Sequence, residues 1–262
     1  SATGAGFVSG GIAGNAISLG YSSNGVVNFG NVLPFTNGDF TISAWIRTPP
    51  GDTTFNANFI SKHNGGYPNG YILSYNWLAG AGGQAFFYAG SRTTNAGGTV
   101  EVVTSSTAVN DGGWHQVVGV YQASGTTTIY VDGVPVEGSI SSSPIIDNAA
   151  PFLVGGVTFG TQPTGMFRGL VDDIQIYNRV LSGGEIGFLN QHPGQVVTGA
   201  PFILVQPASL TVEAGSNATF SVTPTGLPPF RYQWRFNGTN LAGATNVTLT
   251  LEGVQTNQAG LY

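Results

Sequence analysis

Phe40-Thr41-Ile42-Ser43-Ala44-Trp45-Ile46-Arg47 reads as a β-strand with two different faces. Side chains along a strand point to alternate sides. Phe40, Ile42, Ala44 and Ile46 therefore share an apolar face, and Thr41, Ser43, Trp45 and Arg47 share the other. The first set predicts a core face and the second an outer face. Strand-like runs recur at short intervals around it, at 57–61, 70–75, 85–89, 99–103, 114–121, 126–131, 152–154 and 169–177. The hairpin 126–136 turns at Asp132-Gly133, a pair that accepts the two positive φ angles of a type I′ turn. Many short strands with Gly and Asn turns predict an antiparallel sandwich or jelly roll. The 41 glycines leave helices little room. Ser182 followed by Glu185 reads as a capping box, with Ile186 and Leu189 on the buried side of a helix of a turn or two.

The chain has 262 residues, enough for one large β domain or two smaller ones. A hydrophobic fraction of 41% supplies a sizeable core. Charged residues make up 7% and the net charge is −5, against roughly 25% charged residues in an average soluble protein. That composition argues against nucleic-acid binding, which needs clustered Lys and Arg. Cysteine is absent, which excludes disulfides, thiolate metal sites and cysteine nucleophiles. No apolar run approaches the ~18 residues of a membrane-spanning helix. The chain begins at Ser1 without a leader, so either a signal peptide has been removed or this is part of something longer. A secreted, extracellular or cell-surface bacterial protein fits this composition. The stretch 191–200 (QHPGQVVTGA) reads as a linker between a domain at 1–190 and a second at 201–262. Strand candidates in the second are 202–205, 209–213, 218–223, 230–236 and 247–251.

Three segments carry a resemblance: 40–46; Gly113-Trp114-His115-Gln116-Val117-Val118-Gly119-Val120-Tyr121 leading into Ile129-Tyr130-Val131-Asp132-Gly133; and 167–182 followed by Glu185-Ile186. In this order and spacing they resemble the laminin-G-like branch of the concanavalin A-like lectin/glucanase superfamily. The resemblance implies an all-β chain, an antiparallel jelly-roll β-sandwich of two curved sheets. Residues 201–262 are similar to bacterial immunoglobulin-like modules, through Leu210–Gly215, Phe220–Val222, Tyr232–Gly238 and Gln258–Tyr262. Trp234 matches the buried tryptophan of strand C and Tyr262 the tyrosine corner. That match implies an incomplete immunoglobulin-like β-sandwich, truncated at the start of strand F, with an open edge.

Members of the first family are mostly binding or adhesion modules, and some relatives are glycanases with Glu-x-Asp-x-x-Glu on one strand. No such pattern occurs here, and His63, His115 and His192 lack metal-ligand spacing. The expectation is therefore no enzyme, but non-catalytic binding of a polysaccharide or glycan. The rival is adhesion or assembly on protein partners or on its own copies, including self-association through the open edge of the second domain. Glycan binding needs exposed aromatic rings and polar neighbours. These are densest in 62–92, where Trp77, Tyr75, Tyr71, Asn76, Tyr67, His63 and Arg92 are the candidate ligand contacts. Lys62 and Arg92 point to an acidic glycan. Trp45 and Trp114 read as packing residues within strands. The superfamily resemblance also implies a structural Ca²⁺, which falls on Asp172, with Asp39 and backbone oxygens of the N-terminal segment as further ligands. The alternative for Asp172 is a carboxylate that accepts backbone N–H groups with no ion.

Overall fold

A computed structural model of the chain describes residues 5–20, 25–35, 38–63, 69–76, 82–91, 102–139, 149–159, 162–226 and 229–262. It divides into two compact units, 1–195 and 196–262. In the first unit the strands are β1 (Ala5–Ser9), β2 (Asn15–Leu19), β3 (Val27–Asn28), β4 (Phe40–Arg47) and β5 (Ala57–His63). They continue with β6 (Asn69–Tyr75), β7 (Gln84–Ser91), β8 (Val103–Ala108), β9 (Trp114–Gln122) and β10 (Thr126–Val131). The last are β11 (Val134–Ser139), β12 (Leu153–Val154), β13 (Val157–Phe159), β14 (Gln162–Thr164) and β15 (Gly169–Tyr177), before helix α1 (Gly183–Gln191).

Two antiparallel sheets face each other. One has seven strands in the order β1-β2-β15-β4-β9-β10-β11, the other six in the order β3-β12-β5-β6-β7-β8. Phe40, Ile42, Ala44 and Ile46 of β4 are all fully buried in the core between them. Facing strands supply Phe59, Leu73, Phe87 and Tyr121 to the same core. The other face of β4 is covered as well: Thr41, Ser43 and Trp45 are buried. Residues 179–181 meet it at Thr41, with the Arg179 carbonyl accepting from the Thr41 hydroxyl and the Leu181 N–H donating to that hydroxyl.

Local chemistry explains the connections. Asp132 and Gly133 sit at φ +51° and +80°, the two left-handed positions of the type I′ turn. Helix α1 opens on the reciprocal Ser182–Glu185 capping box, and Ile186 and Leu189 are buried. Glu185 is itself buried and takes both guanidinium nitrogens of Arg179 at 2.7 and 3.1 Å. Hydrogen bonds bring the residues after the helix back into the first unit, so that unit extends to 195. Of the run expected at 99–103, residues 99–101 lie outside the described residues, and the strand found there starts at Val103.

The second unit contains β16 (Phe202–Val205), β17 (Ala218–Ser221), β18 (Thr223–Thr225), β19 (Arg235–Phe236), β20 (Thr239–Asn240) and β21 (Thr248–Leu251), paired as β16-β18, β17-β21 and β19-β20. Trp234 is buried and its indole N–H donates to the Asn246 carbonyl at 2.9 Å. The Tyr262 hydroxyl donates to the Gln258 carbonyl four residues back, and its ring stacks on Phe220. The run 209–213 is not a strand, and of 230–236 only Arg235–Phe236 is.

Candidate functional site

Strand register separates the two faces of the six-stranded sheet. Lys62, Tyr71 and Ala89 stand opposite one another, as do Ile60, Leu73 and Phe87, and both rows face inward. Ser61, Ile72 and Tyr88 form one outward row; Asn58, Ser74 and Phe86 form another. Ile72, Phe86 and Tyr88 pack with Val157 into a small apolar cluster on this outer face. The β13–β14 hairpin overlies part of it: the Ser61 hydroxyl donates to the Gly156 carbonyl at 2.7 Å, and the Asn58 N–H donates to Gly165.

At the end of the face away from that hairpin the next outward row is His63, Gly70 and Gly90. The two glycines hold φ of +128° and +157° and carry no side chain, so His63 is the one side chain of that row. Its ring meets the edge of Tyr88 with centroids 5.8 Å apart. Burial pushes the His63 pKa down to about 4, so the ring is neutral at physiological pH. Its Nδ1 is buried without a hydrogen-bond partner among the described residues. An orphaned lone pair costs less than an orphaned N–H, which places the proton on Nε2 and makes that nitrogen a donor. Among the described residues this outer face carries no Asp or Glu, hence no facing carboxylate pair for glycoside hydrolysis.

This geometry corrects several sequence expectations. Tyr71 and Tyr75 are almost wholly buried core residues, and their parity along β6 is that of Leu73. Their hydroxyls donate to the Leu33 carbonyl and the Asp52 carboxylate. Asn76 is no ligand contact either: it is buried at φ +55°, donates to the Asp52 carbonyl and accepts from the Gly83 N–H. Lys62 is buried on the inner side, its ammonium held by Asn31 and the Ala150 carbonyl at 2.7 Å each. Trp77, Tyr67 and Arg92 lie outside the described residues. Among the described residues, the end of β5, the start of β6 and the end of β7 lie at the His63 end of the sheet, and the end of β6 and the start of β7 lie at the other. Six residues of strand separate those ends, about 20 Å.

The residues proposed for calcium behave in the same local way. Asp172 Oδ2 accepts the Ala13 N–H at 2.9 Å and Oδ1 accepts the Asp173 N–H at 2.8 Å. Asp39 accepts the Ala123 N–H at 2.9 Å. Asp172 pairs with Trp45 near one end of β4 and Asp39 precedes the other end, about 20 Å away, so the two cannot share an ion. These contacts are those of the ion-free alternative for Asp172, and each of its oxygens keeps a further lone pair. Asp172→Ala is expected to destabilise the first unit by about 1 kcal/mol through loss of the N–H contacts. Thermal melts should show the same loss in Ca²⁺ and in EDTA; a loss seen only in Ca²⁺ would restore the ion.

His115 belongs to a charged cluster at one end of the seven-stranded sheet. Its Nδ1 lies 2.7 Å from Asp132 and its Nε2 3.0 Å from Asp111. Asp132 also accepts the Gln116 N–H at 2.9 Å, a second role for the turn residue. The hydrogen bond to Asp132, with Asp111 beside it, pushes the His115 pKa up to about 9 from 6.5, against the effect of burial. Between those values the folded state binds the extra proton. The contribution is therefore full below pH 6.5 and is lost as pH rises through 9. Urea unfolding at pH 6 and pH 9.5 should differ by about 1–2 kcal/mol, allowing for solvent screening, and His115→Gln should abolish most of that difference. Among the described residues no group of three or more His, Cys, Asp or Glu could hold a metal ion.

Comparison with known proteins adds the following. The family model described as the concanavalin A-like lectin/glucanases superfamily matches residues 21–187, and an immunoglobulin domain model matches 200–262. Adhesion G-protein coupled receptor V1 of Danio rerio is 27% identical over 168 residues, 63% of this chain and 2% of that protein. Cartilage intermediate layer protein 2 of Homo sapiens is 39% identical over 66 residues, 24% of this chain and 6% of that one. The chain thus spans a small fraction of the curated relatives it matches. The binding domain of Paraclostridial Mosquitocidal Protein 1 superposes with a TM-score of 0.57 at 19% identity, covering 72% of this chain and 45% of that one. Among the described residues no helix is long and apolar enough to cross a membrane.

Proposed function

The chain belongs to the concanavalin A-like lectin/glucanases superfamily through residues 21–187, with an immunoglobulin-like domain behind, and from that premise we propose a non-catalytic polysaccharide-binding module of a secreted protein. The observation that carries the reading is the superfamily match over residues 21–187, and His63 is the one partly exposed side chain of the described outward rows. A neutral imidazole with an unpartnered nitrogen stands beside Tyr88 and two glycines that leave the sheet without side chains. Tyr88 and both glycines are buried, so they back the imidazole, which is the uncharged polar group this row offers a sugar. The lack of a carboxylate pair on the described face supports binding without hydrolysis.

Affinity electrophoresis through polysaccharide-containing gels tests the reading. Retardation on at least one polymer is expected, with His63→Ala weakening it at least tenfold and Trp77→Ala much less. Equal retardation of His63→Ala and the wild type would move the site elsewhere. The rival reading, association through protein surfaces, draws on the exposed Ile203, Val205, Leu210 and Val212 of the second unit. It predicts concentration-dependent oligomers in sedimentation that sugars leave unchanged.

A further inference from the structure

In the second unit, burial alternates from Phe230 to Phe236. Phe230, Tyr232, Trp234 and Phe236 are buried or half-buried, and Arg231, Gln233 and Arg235 are exposed. That is the strand period the sequence predicts over 230–236, yet only Arg235–Phe236 lies in a ladder. One edge of the run is satisfied: the Trp234 N–H donates to the Ala244 carbonyl at 2.9 Å, and its carbonyl accepts from Leu241 at 3.0 Å. Alternate residues of a strand turn their N–H and C=O to the other edge. Arg231 and Gln233 face that way, and neither makes a backbone hydrogen bond among the described residues. An open groove of about 600 Å³, lined by Ile203, Val222, Tyr232, Trp234 and Leu261, lies alongside. We infer that this edge binds an acidic peptide as an added β-strand, its apolar residues alternating with Glu or Asp. Main-chain bonds to Arg231 and Gln233 supply affinity, and the apolar side chains enter the groove. The acidic ones meet Arg231 and Arg235, which form no ion pair among the described residues. Charge also argues against a second copy. Antiparallel pairing of this edge with itself, centred on Gln233, sets Arg231 against Arg235, like charge against like.

Fluorescence anisotropy of a labelled ten-residue peptide alternating Val and Glu, titrated with the full chain, tests the inference independently of the polysaccharide reading. Saturable binding is the expected result. It should be at least tenfold weaker for a peptide alternating Val and Lys, and for the Val/Glu peptide with its two central residues replaced by Pro, which removes ladder donors. The double variant Arg231→Glu, Arg235→Glu should reverse the preference and bind the Val/Lys peptide. Both arginines are exposed, and far-UV circular dichroism confirms that the variant keeps the fold. Absence of binding overturns the inference, as does equal binding of the two peptides or binding that survives the prolines. Sedimentation of the chain alone at the assay concentration tests the other occupant. Dimers that the Val/Glu peptide fails to dissociate would give the edge to a second copy and overturn the inference as well.

Discussion

Gly119→Val is expected to destabilise the first unit by about 3 kcal/mol or to prevent its folding. Gly119 stands opposite Ile42, so its missing side chain is on the core face of β9. A Cβ built there lies 2.5–2.7 Å from Cδ2, Cε2 and Cγ of Phe87, which belongs to the facing sheet. Phe87 is fully buried and meets the edge of Phe40 at 6.4 Å, so it has no free space to retreat into. Gly119→Ala should cost less than valine, and adding Phe87→Leu should recover part of the loss. Urea unfolding of wild type, Gly119→Val, Phe87→Leu and the double variant measures the coupling. A valine variant within 0.5 kcal/mol of wild type would mean that the sheets do not approach at this point.

Asn76→Ala carries the second large effect, about 3 kcal/mol. Asn76 closes the end of the six-stranded sheet opposite His63. Its amide donates to the Asp52 carbonyl at 3.1 Å and accepts the Gly83 N–H at 2.8 Å, while its backbone N–H donates to Gln84. Alanine leaves a buried N–H and a carbonyl with one bond fewer, at about 1 kcal/mol or more apiece. It must also occupy φ +55°, a left-handed position that Asn tolerates and Ala does not, worth about another 1 kcal/mol. Asn76→Gly removes the backbone strain but not the lost bonds, so it should recover only the last portion. If glycine and alanine cost the same, the strain argument is wrong.

These two residues show what a sequence of this kind discloses. Strand β4 was readable because its inward residues are uniformly apolar and its outward ones are not. The hairpin β1–β2 was missed: four of the five residues of β1 are exposed, so burial imposes no period on them. Parity with Leu73 would have placed Tyr71 and Tyr75 in the core. The signal was obscured because Ile72, on the outer face, is apolar as well. Asp132-Gly133 was legible as a turn from local conformational preference. The clasp of Asp132 on His115 depends on pairing across β9 and β10 and leaves no mark on local pattern.

The described aromatic and polar residues between 62 and 92 do not form one cluster, for a geometric reason. Successive antiparallel strands put alternate connections at opposite ends of a sheet, so residues close in sequence separate by a strand's length. Of the ligand candidates within the described residues, His63 alone lies on the outer face. Its glycine neighbours were not singled out, because only the register places Gly70 and Gly90 beside it.

The most direct test is a ¹H–¹⁵N NMR titration of the protein with an oligosaccharide cut from whichever polymer retards it in the gel. The backbone amides of Gly70 and Gly90 flank His63, and those of Gly82 and Gly83 mark the opposite end of the same sheet. Saturable shifts at Gly70 and Gly90, with Gly82 and Gly83 unmoved, are the predicted result. Shifts confined to Gly82 and Gly83, or none at the His63 row, would contradict the proposed site.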